Sequence, residues 1–128
     1  MAKPAELTEN QKKKVRSYLR KLQRDLDLMH WHILFNFDCD TEEEAAGITY
    51  PQADYLQALI TFNTKVMAEQ WKARGWDEVK NLCLHEMVHV LLNHLVWAAQ
   101  QRWISFEDFK KEHEAMTSHL THILSRFI

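Results

Sequence analysis

Two histidines four residues apart, the first followed directly by a glutamate, form an H-E-x-x-H at His85, Glu86 and His89. On a helix the two rings stand about 40° apart around the axis and one turn apart along it, so both imidazoles can reach a single ion. Glu86 points about 100° from His85 and about 60° from His89, a poor direction for a ligand but a good one for lying beside a water on that ion. A carboxylate in that place is a general base. A shuffled chain of this composition would contain about 0.04 such matches. The surroundings add to the case, because Val79, Leu82, Leu84, Val88, Val90, Leu91, Leu92 and Leu95 make the helix apolar nearly all round. Two histidines and a glutamate buried together need a compensating charge or metal; hydrogen-bonded structural histidines are the other reading.

A catalytic zinc takes three protein ligands and leaves its fourth place to water. His94 points about 160° away from the midpoint of His85 and His89 on a continuous helix, which removes it as the third. The remaining source is Lys111-Glu112-His113-Glu114-Ala115-Met116 at the start of a terminal helix. Against a stripe centred on Phe109, Met116, Leu120 and Ile123, Glu112 lies about 60° off and Glu114 about 150° off, so Glu112 is the preferred ligand. Glu114 and one of His113 or His119 stay open as alternatives. Glu112 aligns with His119 two turns on, which could donate to the ligand shell or stabilise developing negative charge. His119 and His122 alone read as solvated or core-edge histidines.

The elements that must position these residues follow from local signals. Thr8 with Gln11 has capping-box spacing and precedes Val15, Leu19, Leu22 and Leu26, a first helix from about Glu9 to Leu26. Its basic residues between 12 and 24 read as a solvated outer face. From Trp31 the period changes to two, with Trp31, Ile33, Phe35 and Phe37 on one side, which is a half-buried strand. The segment Asp38 to Glu44 imitates the start of a calcium loop, but the required glycine is Glu43 and the closing carboxylate is Thr49, so it reads as an acidic turn. Gly47 to Tyr50, closed by Pro51, and Gln57 to Phe62, ending at Asn63, complete a small sheet of about three strands. A short helix over Thr64 to Trp71, a turn at Gly75, a long helix capped by Asp77 and running to about Gln100, and a terminal helix capped by Ser105 complete the chain. The expected fold class is α+β, mostly helical, with residues 1–128 forming one domain.

Composition narrows the function classes. With 128 residues, 46% of them hydrophobic, the chain can enclose one core and is too short for two ordinary domains. Two glycines and two prolines exclude glycine-rich phosphate loops and dinucleotide fingerprints. A net charge of −2 argues against nucleic acid and membrane surfaces as partners. The apolar stretch Val88 to Ala99, about twelve residues interrupted by Asn93 and His94, falls short of the roughly twenty that a spanning helix needs. Cys39 and Cys83 could pair only if a helical position were bridged, and the start Met-Ala-Lys-Pro is unlike a secretory leader, so a reducing cytoplasmic setting is expected. The five tryptophans (Trp31, Trp71, Trp76, Trp97 and Trp103) read mainly as core.

These residues resemble the zincin metallopeptidases, in particular the small gluzincin-like group that includes ImmA/IrrE-type and SprT-like proteins and compact forms carried by phages. The resemblance covers about half the chain: the strand Gln57 to Asn63, the helix of His85-Glu86-Met87-Val88-His89, and Glu112-His113-Glu114-Ala115, similar to the E-x-x-A of a gluzincin glutamate helix. The metzincin pattern is absent, since Leu92 and Leu95 stand where it places glycine and histidine. A downstream His-Gly and zinc-ribbon cysteines of the SprT kind are not found, which argues against DNA–protein crosslink repair, and no helix-turn-helix partner like those of some IrrE-type regulators is seen. The resemblance implies a twisted sheet over the active-site helix, with Gln57 to Phe62 as the edge strand to which substrate adds. It implies a zinc-dependent peptidase with about one zinc per chain held by His85, His89 and Glu112. Glu86 would take a proton from the activated water and pass it to the leaving amine, with His119 assisting, on a peptide or protein substrate. The competing expectation is a regulatory or interaction module, metal-stabilised or metal-free, that acts by contact and not by cleavage; nucleic-acid binding through residues 12–24 ranks last.

Overall fold

A computed structural model describes residues 6–38, 46–100 and 105–127. In chain order these are α1 (Glu9–Asp25), β1 (His32–Asp38), β2 (Gly47–Gln52), a 3-10 turn (Ala53–Tyr55), β3 (Gln57–Asn63), α2 (Thr64–Arg74), α3 (Trp76–Gln100) and α4 (Phe106–Ser125). The fold is α+β, mostly helical, with a three-stranded mixed sheet. No helix among the described residues is long and apolar enough to cross a membrane. The acidic turn after Asp38, Cys39, Trp103 and the chain's first five residues lie outside the described residues.

Capping sets the start of α1 as its sequence requires. Thr8 Oγ1 accepts from the Gln11 amide at 3.1 Å, and Gln11 Oε1 accepts from the Thr8 amide at 2.9 Å, satisfying two donors that the first turn leaves unpaired. Val15, Leu19 and Leu22 then form its buried stripe. The buried Gln23 ends the helix usefully: its Nε2 donates to Leu28 O at 3.1 Å and to Trp31 O at 3.0 Å, tying down the turn that feeds β1.

The strands lie in the order β1-β3-β2, β1 parallel to β3 and β2 antiparallel to it. Gln57 to Phe62 is therefore the central strand, paired on both sides, and not the edge expected from the sequence. The edge next to α3 is β2. The difference shows in burial: β3 encloses Ala58, Ile60 and Phe62, whereas β1 encloses Ile33 alone and β2 none of its residues. One sheet face joins Ile33, Ile60 and Phe62 to the helices, while His32, Leu34, Tyr50 and Leu59 are exposed on the other.

Helix α3 is the centre of the assembly and packs against α1, α2, α4 and β2. Its buried stripe is Val79, Cys83, Met87, Val90 and Leu91. The apolar residues on its other sides are not enclosed as expected: Leu84, Val96 and Trp97 are exposed. The helix begins at Trp76, so Asp77 lies in its first turn and does not precede it, and α2 continues past Trp71 to Arg74, where Gly75 at φ 82° terminates it. Ser105 Oγ accepts from the Asp108 amide at 3.1 Å, the expected cap of α4. That helix buries only Met116 and Ile123 of its anticipated stripe, leaving Phe106, Leu124 and Phe127 exposed.

The C-terminal end of α4 clasps the end of α1. Arg126 Nη2 is 2.5 Å from Asp27 Oδ2, Arg126 Nη1 donates to Asp25 O at 3.2 Å, and His119 Nε2 donates to Leu26 O at 3.0 Å. The Arg126 guanidinium, hydrogen-bonded to Asp27, holds that carboxyl below the usual carboxylate range.

Cys83 is a free thiol in the core, and burial pushes it from its ordinary value near 9 up to about 12. The folded chain therefore holds this proton more tightly than the unfolded chain does. The resulting contribution to stability is complete below about pH 9 and is lost as pH rises toward about 12. At pH 8 iodoacetamide should leave Cys83 unmodified in the native protein and label it once denaturant is added, as peptide mass spectrometry would show. Labelling at equal rates in both states would contradict its burial.

Candidate metal centre

The long helix delivers the first two donors by its own periodicity. His85 and His89 lie on its exposed side and are not buried together with Glu86 as expected, because the helix is enclosed on one stripe only; their Nε2 atoms are 3.2 Å apart, with the rings nearly perpendicular at 84°. Two nitrogens bound to one tetrahedral zinc at 2.0–2.1 Å would be separated by about 3.3–3.4 Å. The observed spacing fits a shared ion, for which imidazole nitrogen is a suitable donor, and equally an N–H···N hydrogen bond between the two rings.

Glu86 turns away from the pair into the space between α3 and β2, where it is 7% exposed. Its carboxylate Oε2 accepts a short hydrogen bond from the Thr49 hydroxyl, which also lies 3.4 Å from the Glu86 carbonyl oxygen. Gly47, two residues before Thr49 and so on the same face of β2, leaves room for the glutamate. A Cβ built there would be 3.2 Å from Glu86 Cγ and 3.3 Å from both Glu86 Cδ and Phe62 Cδ1. A larger residue at 47 would displace either the carboxylate or the core ring beneath it.

These groups open onto a cleft of about 510 Å³. Its sheet wall is β2, through Gly47, Thr49 and Pro51. Its helix wall is α3, through His85, Glu86, His89, Asn93 and Val96. The Asn63 amide donates to Ala46 O at 2.8 Å, which fixes the alternation of the β2–β3 ladder. Residues 48, 50 and 52 therefore direct their main-chain groups to β3, and residues 47, 49 and 51 direct theirs outward. Pro51 has no N–H to give and occupies an outward position, where none is needed by the sheet. The Oδ1 of Asn93 is buried without a hydrogen-bond partner among the described residues, an arrangement that costs about 1–3 kcal/mol unless a partner is supplied.

The other expected site residues are elsewhere. Glu112 lines a separate hollow of about 250 Å³ with Ala115, Met116 and His119, and none of these borders the cleft of the histidine pair. The cause is the seating of α4: Met116 and Ile123 enter the core while His119 and Arg126 anchor to the end of α1, and together they fix which way Glu112 faces. The ring of His119 is occupied with Leu26 O and does not assist at the pair. Glu114 and His113 are exposed, and His122 Nε2 is 3.4 Å from Asp27. The side chain of His94 lies outside the described residues. Among the described residues no three His, Cys, Asp or Glu side chains converge on one point where an ion could be held. The cleft thus presents two nitrogen donors on its helix wall and a carboxylate held against β2, without a third converging donor among the described side chains.

Sequence reasoning did not single out Gly47 and Thr49. Gly47 carried a signal, as one of only two glycines in the chain. Thr49 carried none, because its role depends on a contact across 37 positions. Asn93 was legible as the next member of the i, i+4, i+8 series begun by His85 and His89. Compared with known proteins, the chain matches no family model, no curated protein and no solved structure.

Proposed function

We propose that the chain is a zinc-dependent metallopeptidase of zincin type, acting in a reducing, cytoplasmic compartment on an extended peptide or protein segment. The observation that carries the reading is the convergence of His85 and His89 Nε2 to 3.2 Å beside a buried glutamate facing an open cleft. His85 and His89 would hold the ion. When bound, zinc supplies Lewis acidity that acidifies water and polarises a carbonyl.

The chain's own residues do the rest. Glu86 takes the proton from water at its carboxylate and returns it to the leaving amine, a role for which Thr49 and Gly47 hold it in the cleft wall. The outward main-chain groups of residues 47, 49 and 51 offer hydrogen bonds to a substrate strand. That moves the expected site of strand addition from β3 to β2. Two residues of this edge present both a donor and an acceptor, whereas Pro51 offers only its carbonyl, which sets the register of the incoming chain.

The test is metal analysis with a peptide library. About one zinc per chain is expected, with cleavage abolished by a chelator and restored by added zinc. Zinc bound without any cleavage would favour the interaction module, and a protein that takes up no zinc would overturn the peptidase reading.

A further inference from the structure

Thr49 occupies an unusual junction. Its side chain crosses to α3 and hydrogen-bonds the Glu86 carboxylate, while its own amide and carbonyl lie on the outward edge of β2. We propose that Thr49 is a positioning residue for Glu86, so that the strand receiving the substrate main chain also fixes the carboxylate that serves it. This rests on the peptidase reading and adds to it a residue outside the H-E-x-x-H helix.

The geometry is tight on three sides. A glutamate has three rotatable side-chain bonds, and a solvated one samples several rotamers. Here the Cγ and Cδ of Glu86 lie over Gly47, where even a methyl group would press on them, and its burial leaves few other positions for the carboxylate. The Thr49 hydroxyl supplies the directional contact that chooses among those positions. Removing it leaves a buried carboxylate against a methyl group, and the carboxylate would turn toward water in the cleft. A base displaced by about 1 Å can lose about 100-fold in rate without any change in its chemical identity.

The experiment compares Thr49→Val, which preserves shape and removes the hydroxyl, with Thr49→Ser, which keeps the hydroxyl, each in the parent and in the Glu86→Gln background. Zinc content and crystal structures are recorded for all. Thr49→Val should lower kcat about 10- to 100-fold at unchanged KM and zinc content, and Thr49→Ser should recover most of the rate. In the Glu86→Gln background Thr49→Val should cost nothing further, because the group it positions is gone. A Thr49→Val protein with parental kcat, or the same fold loss in both backgrounds, would overturn the inference while leaving the peptidase reading intact. Absence of cleavage by the parent would defeat the peptidase reading instead. The structures would still decide the positioning role: a displaced Glu86 carboxylate in Thr49→Val supports it, and an unmoved one refutes it.

Discussion

Glu86→Gln is expected to bind zinc as the parent does and to hydrolyse peptides about 10²- to 10⁴-fold more slowly. The substitution removes one function and little else. Glutamine has the same stem to lie across Gly47, and its amide oxygen can still accept from the Thr49 hydroxyl. Glutamine is also the same size as glutamate, so the variant should fold as the parent does. What it lacks is a group able to take a proton. His85→Ala and His89→Ala make the complementary pair, since each deletes one of the two nitrogens proposed to hold the ion; zinc uptake should fall along with activity. The informative comparison is therefore metal retained with rate lost for Glu86, against both lost for either histidine. Equal cleavage by Glu86→Gln and parent, measured on the same peptide with zinc quantified in both, would remove Glu86 from the reaction.

The features legible in the sequence are those fixed by neighbours along the chain. Thr8 and Gln11 find each other because three residues of helix bring them together, and His85 and His89 converge because four do. The change to period two at β1 was equally local, and its inward residue Ile33 is fully enclosed. Strand order was different, since three short strands of similar composition do not say which lies between the others. A signal was present in the run Ala58-Leu59-Ile60-Thr61-Phe62, more continuously apolar than β2, as suits a strand flanked on both sides. The position of Glu112 depends on rotation of α4 as a whole. The apolar stripe of α4 predicts an inward direction for Glu112, and it does lie beside Met116, but at a hollow away from the histidine pair. Local periodicity can say that a residue faces inward; only packing against α3 and the clasp to α1 says what it faces.

Phe62→Ala should destabilise the fold by about 3–5 kcal/mol, the range for deleting a fully buried aromatic ring. Phe62 has no exposed surface, belongs to the paired central strand, and stacks on Phe37 with ring centroids 5.7 Å apart and planes 25° apart. Its removal from a strand held on both sides leaves little freedom for the backbone to collapse into the void, so the cavity contribution should be close to full. Against a total stability of about 5–15 kcal/mol this is a large fraction, corresponding to a fall in melting temperature of roughly 10–20 °C for a domain of this size. The ring also supports the site, because its Cδ1 and the Glu86 stem close from two sides on the place where a Cβ at Gly47 would be. With the ring gone, the strand beneath Glu86 loses part of its support. Thermal denaturation of Phe62→Ala and Phe62→Leu beside the parent checks this. The leucine variant should recover more than half of the lost stability by refilling the space. Equal stability of parent and Phe62→Ala would mean that the ring does not occupy the core between the sheet and α3, and the packing that places Gly47 under Glu86 would need a different origin.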